Sequence, residues 1–266
     1  MRLLASFVTV LTGCVARAAD LLSRLQMVLY GLLPALLSPE ELTRLTRAHY
    51  EKSYRRIVAE SRPEASRWSL EGWEERVLTR HMAKIGTVLV LGAGFGRESI
   101  ALAEQGYQVI GLDSNRDGLT VASRQAAALG LRVPFVEADF LVLPVLPSRL
   151  EYLLLSGVMY SSIPGRQRRQ AWVRSLRSPL KQGGKVLLNF LAVREPETKT
   201  FQVIRRWTSR LLRLPGSNRD YQTGDYCSQD HFMHLFTDEQ EIRSELTEAG
   251  ATILELNWQE GVAVIA

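Results

Sequence analysis

Five consecutive residues, Gly92-Ala93-Gly94-Phe95-Gly96, and an acid 21 positions after the first of them, Asp113, have the types and spacing to do chemistry on a ligand. Glycines lack Cβ, so the backbone can turn sharply and approach a bound molecule closely. A helix that starts just beyond such a loop presents unpaired N–H groups. A carboxylate about 20 residues further on can accept hydrogen bonds from ribose hydroxyls.

The pattern has weight only with the right elements around it, and the residues supply them. Val88-Leu89-Val90-Leu91 is a short apolar run of the kind a doubly buried parallel strand shows. Arg97 to Glu104 has helical spacing and closes at Gly106, a helix-terminating position. Tyr107 to Leu112 is a second apolar strand that ends in Asp113. The dinucleotide fingerprint GxGxxG requires glycine at position 97, where this chain has Arg97, with its third glycine one residue early at Gly96. That spacing speaks against a pyrophosphate cofactor, and the P-loop pattern is absent.

The stretch VLVLGAGFGRESIALAEQGYQVIGLDSN resembles the cofactor-binding half of class I S-adenosylmethionine-dependent methyltransferases, and the likeness extends over roughly residues 87–266. It implies an α/β, Rossmann-like doubly wound, mostly parallel seven-stranded sheet with a C-terminal antiparallel hairpin, preceded by an all-helical N-terminal segment. It also implies S-adenosyl-L-methionine as cofactor. By position, Gly92, Ala93, Gly94 and Gly96 inherit the loop that cradles the methionine part, and Asp113 with Ser114 the ribose site. Asp139 and Phe140, after a strand read at Arg132 to Glu137, inherit the adenine site. Glu151 to Leu155 reads as strand four. It runs into Ser156-Gly157-Val158-Met159-Tyr160, which in relatives lies beside the transferable methyl group.

Tyr160 is the candidate for catalysis. With Tyr50 and Tyr54, one helical turn apart on the lead-in, it is also a candidate for substrate contact. A packing tyrosine under the loop is the other reading of Tyr160. The motif that relatives use on exocyclic base nitrogens or glutamine amides is missing after strand four, so the resemblance favours a small-molecule, lipophilic acceptor over nucleic acid. An RNA or protein methyltransferase using arginine clusters, and a non-catalytic cofactor-binding module serving a partner, are the competing readings. His49, His81, His231 and His234 form no ligand set with Cys or carboxylates, and no metal is expected.

Around this core the chain divides into an apolar helical segment at 1–37, a helical lead-in or lid at 38–84, and a core at 85–266 with a substrate-cover insertion at about 192–235. Ser38-Pro39-Glu40-Glu41 spells a capping box that opens a helix, and another is read from Leu70 to His81. Thr237 is read as the cap of the last helix. In the insertion Arg205, Arg206, Arg210 and Arg213 cluster, with Trp207, Leu211 and Leu214 on another face. Arg166, Arg168 and Arg169 crowd the start of a helix, against its dipole, and so call for an anionic contact or acidic neighbours.

Hydrophobic residues at 46% and charged residues at 23% exclude a disordered or low-complexity chain. Two cysteines provide no disulfide framework. The basic excess is carried by 28 Arg against 5 Lys and leaves room for an anionic partner. Residues 1–37 hold only Arg2, Arg17, Asp20 and Arg24 as charges, and neither apolar run reaches the roughly 20 residues of a spanning helix. Three readings of the segment stand open. It is a lipoprotein leader with Cys14 lipidated, an amphipathic helix on a membrane surface or partner, or a helix packed on the protein's own core. The implied methyl donor is a cytosolic metabolite. The expected location is therefore cytoplasmic, peripheral at the inner face of the membrane under the second reading.

Overall fold

The computed structural model describes residues 2–60, 69–83, 86–143, 147–194, 199–228 and 231–266. The lead-in boundary expected at 84/85 lies outside the described residues.

Three helices lead, α1 (Arg2–Leu36), α2 (Pro39–Ala59) and α3 (Gly72–His81). Ser38 and Glu41 close the capping box at α2 as the residues foretold, with Ser38 Oγ accepting from the Glu41 N–H. The core alternates strand and helix: β1 (Thr87–Leu91), α4 (Arg97–Glu104), β2 (Gln108–Asp113), α5 (Arg116–Ala128), β3 (Phe135–Glu137), β4 (Leu150–Leu155), α6 (Arg166–Ser175) and β5 (Leu180–Asn189). Then come β6 (Leu191–Ala192), α7 (Lys199–Leu211), β7 (Asp225–Ser228), β8 (His231–Phe236), α8 (Glu239–Glu248), β9 (Ile253–Asn257) and β10 (Val262–Ile265).

Seven strands form one sheet in the order β3-β2-β1-β4-β5-β10-β9, parallel from β3 to β5, with β10 reversed between β5 and β9. This is the doubly wound sheet with a closing hairpin. β1 shows why an unbroken apolar run was needed. Leu89 and Leu91 face a core with Trp172, Leu176, Ile242 and Leu246, while Val88 and Val90 face another with Val77, Leu78, Ala101 and Leu102. The chain order reverses direction at β1, whose tip is level with those of β2 and β4: Leu91 pairs with both Leu112 and Leu155. Ligands of such sheets bind at that switch point.

Three local expectations shift. The third strand starts at Phe135 rather than Arg132, because 131–134 lie outside regular structure. The last helix is capped by Asp238, whose Oδ1 accepts from the Glu241 N–H, while Thr237 donates its N–H and hydroxyl to the Glu241 carboxylate. The insertion contains a second sheet, β6-β8-β7, that the residues did not announce.

That sheet is tied down by a buried cluster. His234 Nδ1 lies 2.7 Å from Asp225 Oδ1, and Nε2 lies 3.1 Å from Glu241 Oε1. Burial and the Arg169 guanidinium push the His234 imidazole down, but its hydrogen bonds to Asp225 and Glu241 outweigh both, and the net shift is upward. A raised folded pKa stabilises fully below the unfolded value of about 6.5 and loses that contribution as pH rises through the folded value. Urea unfolding of the protein should therefore show stability falling across that window. The fall should be absent in His234→Phe, and an unchanged pH dependence in the variant would remove His234 as its source.

α1 is seated only at its C-terminal end. Gly31, Pro34 and Ala35 are buried, with Gly31 against Ile204 of α7 and Tyr30 and Leu33 packed on Leu42, Cys227 and Phe232. Asn218 satisfies the terminal carbonyls, donating from Nδ2 to Pro34 and from its N–H to Ala35. Residues 7–27 are exposed throughout.

Candidate active site

The tips of β1, β2 and β4 open into a cavity of about 340 Å³, with α2 as its front wall. Gly92, Asp113, Ser114, Asp139, Phe140 and Ser156 all line it, and so do Tyr50 and Tyr54. Eight of the twelve residues singled out from sequence therefore meet in one place.

The glycine loop is held by β2. The N–H groups of Gly92 and Ala93 both donate to the Leu112 carbonyl, at 2.8 and 2.9 Å. Gly92 has φ +75, and a Cβ there would fall 1.9 Å from Met159 Sδ. Gly94 has φ +52, and its Cβ would fall 2.5 Å from the Tyr54 hydroxyl. Side chains at these positions would fill the space between loop and lid. Gly94, Gly96 and Ala93 do not line the cavity. Gly96 opens α4 in the left-handed region against Ala122, and Ala93 is buried near Gly111. Their contribution is to the shape of the turn.

Asp113 braces the same loop. Its Oδ2 accepts from the Gly94 N–H at 2.9 Å and its Oδ1 from the Asn115 N–H at 2.8 Å. Burial pushes the carboxyl up and the N–H groups of Asn115, Gly94 and Ser114 hold it down, with a net rise. Each carboxylate oxygen keeps acceptor capacity for a ligand hydroxyl. At the far end, Asp139 Oδ1 accepts from the Leu141 N–H and Oδ2 pairs with Arg47 Nη2 of α2 at 2.5 Å. Ser156 turns its hydroxyl backward to Glu98 Oε1, at 2.5 Å. Arg97, the residue at the third-glycine position of the dinucleotide pattern, binds Glu74 of α3 and Glu98. It ties α3 to α4 behind the loop.

Tyr54 lies over Gly94 and Gly118, with its ring 4.8 Å from that of Phe95. Burial, with the Asp113 carboxylate second, pushes the hydroxyls of Tyr50 and Tyr54 upward, so both are neutral donors near the loop. Tyr160 does not reach the cavity. It is fully buried between Trp172 and Phe236 and donates its hydroxyl to Glu245 Oε1 at 2.6 Å. The catalytic and substrate-contact expectations for Tyr160 are thus replaced by packing beneath the loop.

The basic cluster on α6 finds acidic neighbours. Arg169 makes a fully buried bidentate pair with Glu245, Arg166 binds Glu248, and Arg168 binds Glu40. Sequence reasoning missed the α2 residues Thr43, Thr46, Arg47 and Glu51, and, of an apolar wall of Leu141, Val158, Met159, Ile163 and Pro164, all but Val158 and Met159 of the turn after β4. Among the described residues no group of three or more His, Cys, Asp or Glu could hold a metal ion.

Residues 88–184 match the family profile described as "Methyltransferase domain". That stretch, 97 of the 266 residues, is therefore similar to a methyltransferase domain. No curated protein matches the chain by sequence. Among solved structures, an S-adenosylmethionine-dependent methyltransferase from Methanosarcina mazei is 20% identical, covering 74% of this chain and 97% of its own, with a TM-score of 0.54. The 1,6-didemethyltoxoflavin-N1-methyltransferase of Burkholderia thailandensis, solved with 1,6-didemethyltoxoflavin and S-adenosylhomocysteine, is 19% identical. It covers 86% of this chain and 90% of its own, with a TM-score of 0.60. A methyltransferase from Clostridium acetobutylicum is 11% identical, covering 73% and 87%, with a TM-score of 0.51. At these identities the likeness is one of fold. The profile match ends inside β5, so the insertion and α1 lie outside it.

Proposed function

We propose that this protein transfers the methyl group of S-adenosylmethionine to a small, lipophilic acceptor. The observation that carries the reading is the division of one cavity into two chemistries. Gly92, Asp113, Ser114 and Asp139 present backbone and carboxylate groups suited to an amino-acid end, a ribose and an adenine. Leu141, Val158, Met159, Ile163 and Pro164 present an apolar wall with no charge.

When bound, the sulfonium supplies an activated methyl group that leaves by in-line displacement. The residues of the chain have to hold, align and dry the site. Asp113 would accept hydrogen bonds from hydroxyls while keeping the Gly94 turn in place. Asp139 takes an amino donor in exchange for Arg47. Phe140, in T-shaped contact with Trp172, offers its ring to a flat base. Tyr50 and Tyr54 close the front, and Met159 sits at the boundary between the two chemistries. Pairing of Arg166, Arg168 and Arg169 with acids removes one of the two arginine clusters that an RNA acceptor would use.

The test is a screen with labelled S-adenosylmethionine against apolar phenols, amines and carboxylic acids, with RNA and a histone mixture as controls. Label in an apolar small molecule is the expected result. Label only in RNA or protein would overturn the acceptor class.

A further inference from the structure

α1 is built inside out for a soluble protein. Its buried residues at the seat, Gly31, Pro34 and Ala35, belong to the narrower, more polar side of the helix. N-terminal to that seat its leucines are exposed: Leu22 is 65% exposed, Leu25 53% and Leu29 56%. Tracing the helix back at 3.6 residues per turn, the exposed apolar residues run from Val10 and Leu21 through Phe7, Leu25, Leu29 and Leu22 to Val8, one arc of roughly 160°. Thr9, Thr12, Arg17, Asp20, Ser23 and Arg24 occupy the other side. Residues 7–27 run clear of the fold for about 31 Å at 1.5 Å per residue. Among the described residues, no helix is long and apolar enough to cross a membrane.

α7, packed against α1 through Ile204, adds matching features. Trp207 is 49% exposed and carries the Arg210 guanidinium 4.9 Å above its ring. Arg206, Arg213 and Leu214 are exposed with it, whereas the side chain of Arg205 lies outside the described residues. Counting α1 and residues 199–219 together, nine basic residues (Arg2, Arg17, Arg24, Lys199, Arg205, Arg206, Arg210, Arg213 and Arg219) face one acid, Asp20. Asp20 is already paired with Arg24.

We infer that α1, with the exposed edge of α7, docks this protein on the surface of an anionic lipid bilayer. α1 would lie in the headgroup plane and sink its leucine arc into the acyl boundary. The wide arc, an amphipathic tryptophan and the one-sided charge are what such a surface selects. A second copy of the chain is the competing occupant, and it fits less well. A helix–helix seam is narrower and is flanked by charges of both signs, and it would leave Trp207 and the α7 arginines unused.

The experiment is sedimentation of the full-length protein with phosphatidylcholine vesicles, with and without about one third phosphatidylglycerol. It is run for wild type, Leu22→Glu/Leu25→Glu/Leu29→Glu and Arg206→Glu/Arg210→Glu. All five positions are exposed, so circular dichroism should show both variants folded. Wild type should pellet with the anionic vesicles and much less with the neutral ones. The leucine variant should bind about tenfold or more weakly, and the arginine variant should lose the preference for anionic lipid. Three results would overturn the inference. The wild type could stay in solution with both vesicles, or bind unchanged after the leucine substitutions. Light scattering could instead show a dimer that those substitutions dissociate and that ignores lipid. No methyl donor is present, so the outcome is independent of whether the acceptor assignment is right.

Discussion

Asp113→Ala should reduce S-adenosylmethionine binding by two to three orders of magnitude, on the order of 3–4 kcal/mol. The size of the loss comes from two roles carried by one carboxylate. As an acceptor it offers charged hydrogen bonds to ribose hydroxyls, each contributing about 1.5–3 kcal/mol. As a brace it holds the Gly94 and Asn115 N–H groups at 2.9 and 2.8 Å. Alanine releases both N–H groups inside a half-buried wall, so the loop that should cradle the amino-acid end loses its anchor at the same moment. Calorimetric titration of the methyl donor and its demethylated product into wild type and variant measures this. Thermal unfolding alongside separates lost binding from lost fold. Binding within threefold of wild type would remove Asp113 from the cofactor site.

Glu245→Ala should lower unfolding stability by about 3–5 kcal/mol, the scale for breaking a buried ion pair from one side. Arg169 would remain fully buried with two of its bonds lost, keeping only Gln222 Oε1 and the Ile163 carbonyl. The Tyr160 hydroxyl would lose its acceptor as well. The substitution should cost far more than Tyr160→Phe, for which about 0.5–1.5 kcal/mol is expected. Combining Arg169→Met, Glu245→Leu and Tyr160→Phe should recover most of the loss, because no orphaned charge or hydroxyl then remains. Urea unfolding reads the stability, and methyl transfer by Tyr160→Phe should match wild type. A large drop in turnover with normal stability would return Tyr160 to the reaction.

These two sites also mark the limits of what the amino-acid order discloses. The Asp113 site is local. Strand, loop, helix and strand follow one another within about 27 residues, and each carries its own signal in apolar runs, glycines and a terminal acid. Position alone therefore places Gly92, Asp113 and Ser114 at the cavity. Tyr160 could not be read that way, because its partner Glu245 is 85 residues away. Nothing around Tyr160 distinguishes a hydroxyl aimed at a ligand from one aimed at a buried carboxylate. The α6 arginines announced a need for acids but not which ones, because those acids lie far along the chain on α2 and α8. Arg47 was missed because a charged residue on an amphipathic helix looks like a solvated one until Asp139 is placed opposite it. The second sheet escaped because β6 has two residues, and β7 and β8 mix His, Asp and Cys with apolar residues rather than alternating cleanly.

The Arg47–Asp139 pair bears on how ligand binding will register as heat. Both Asp139 oxygens are engaged before any ligand arrives, one by Arg47 and one by the Leu141 N–H. An amino group reaching that carboxylate swaps one hydrogen bond for another and sends a guanidinium back to water. Little enthalpy is released at that end. The signature of filling the site should sit instead in the heat capacity, which turns negative as the apolar wall is covered.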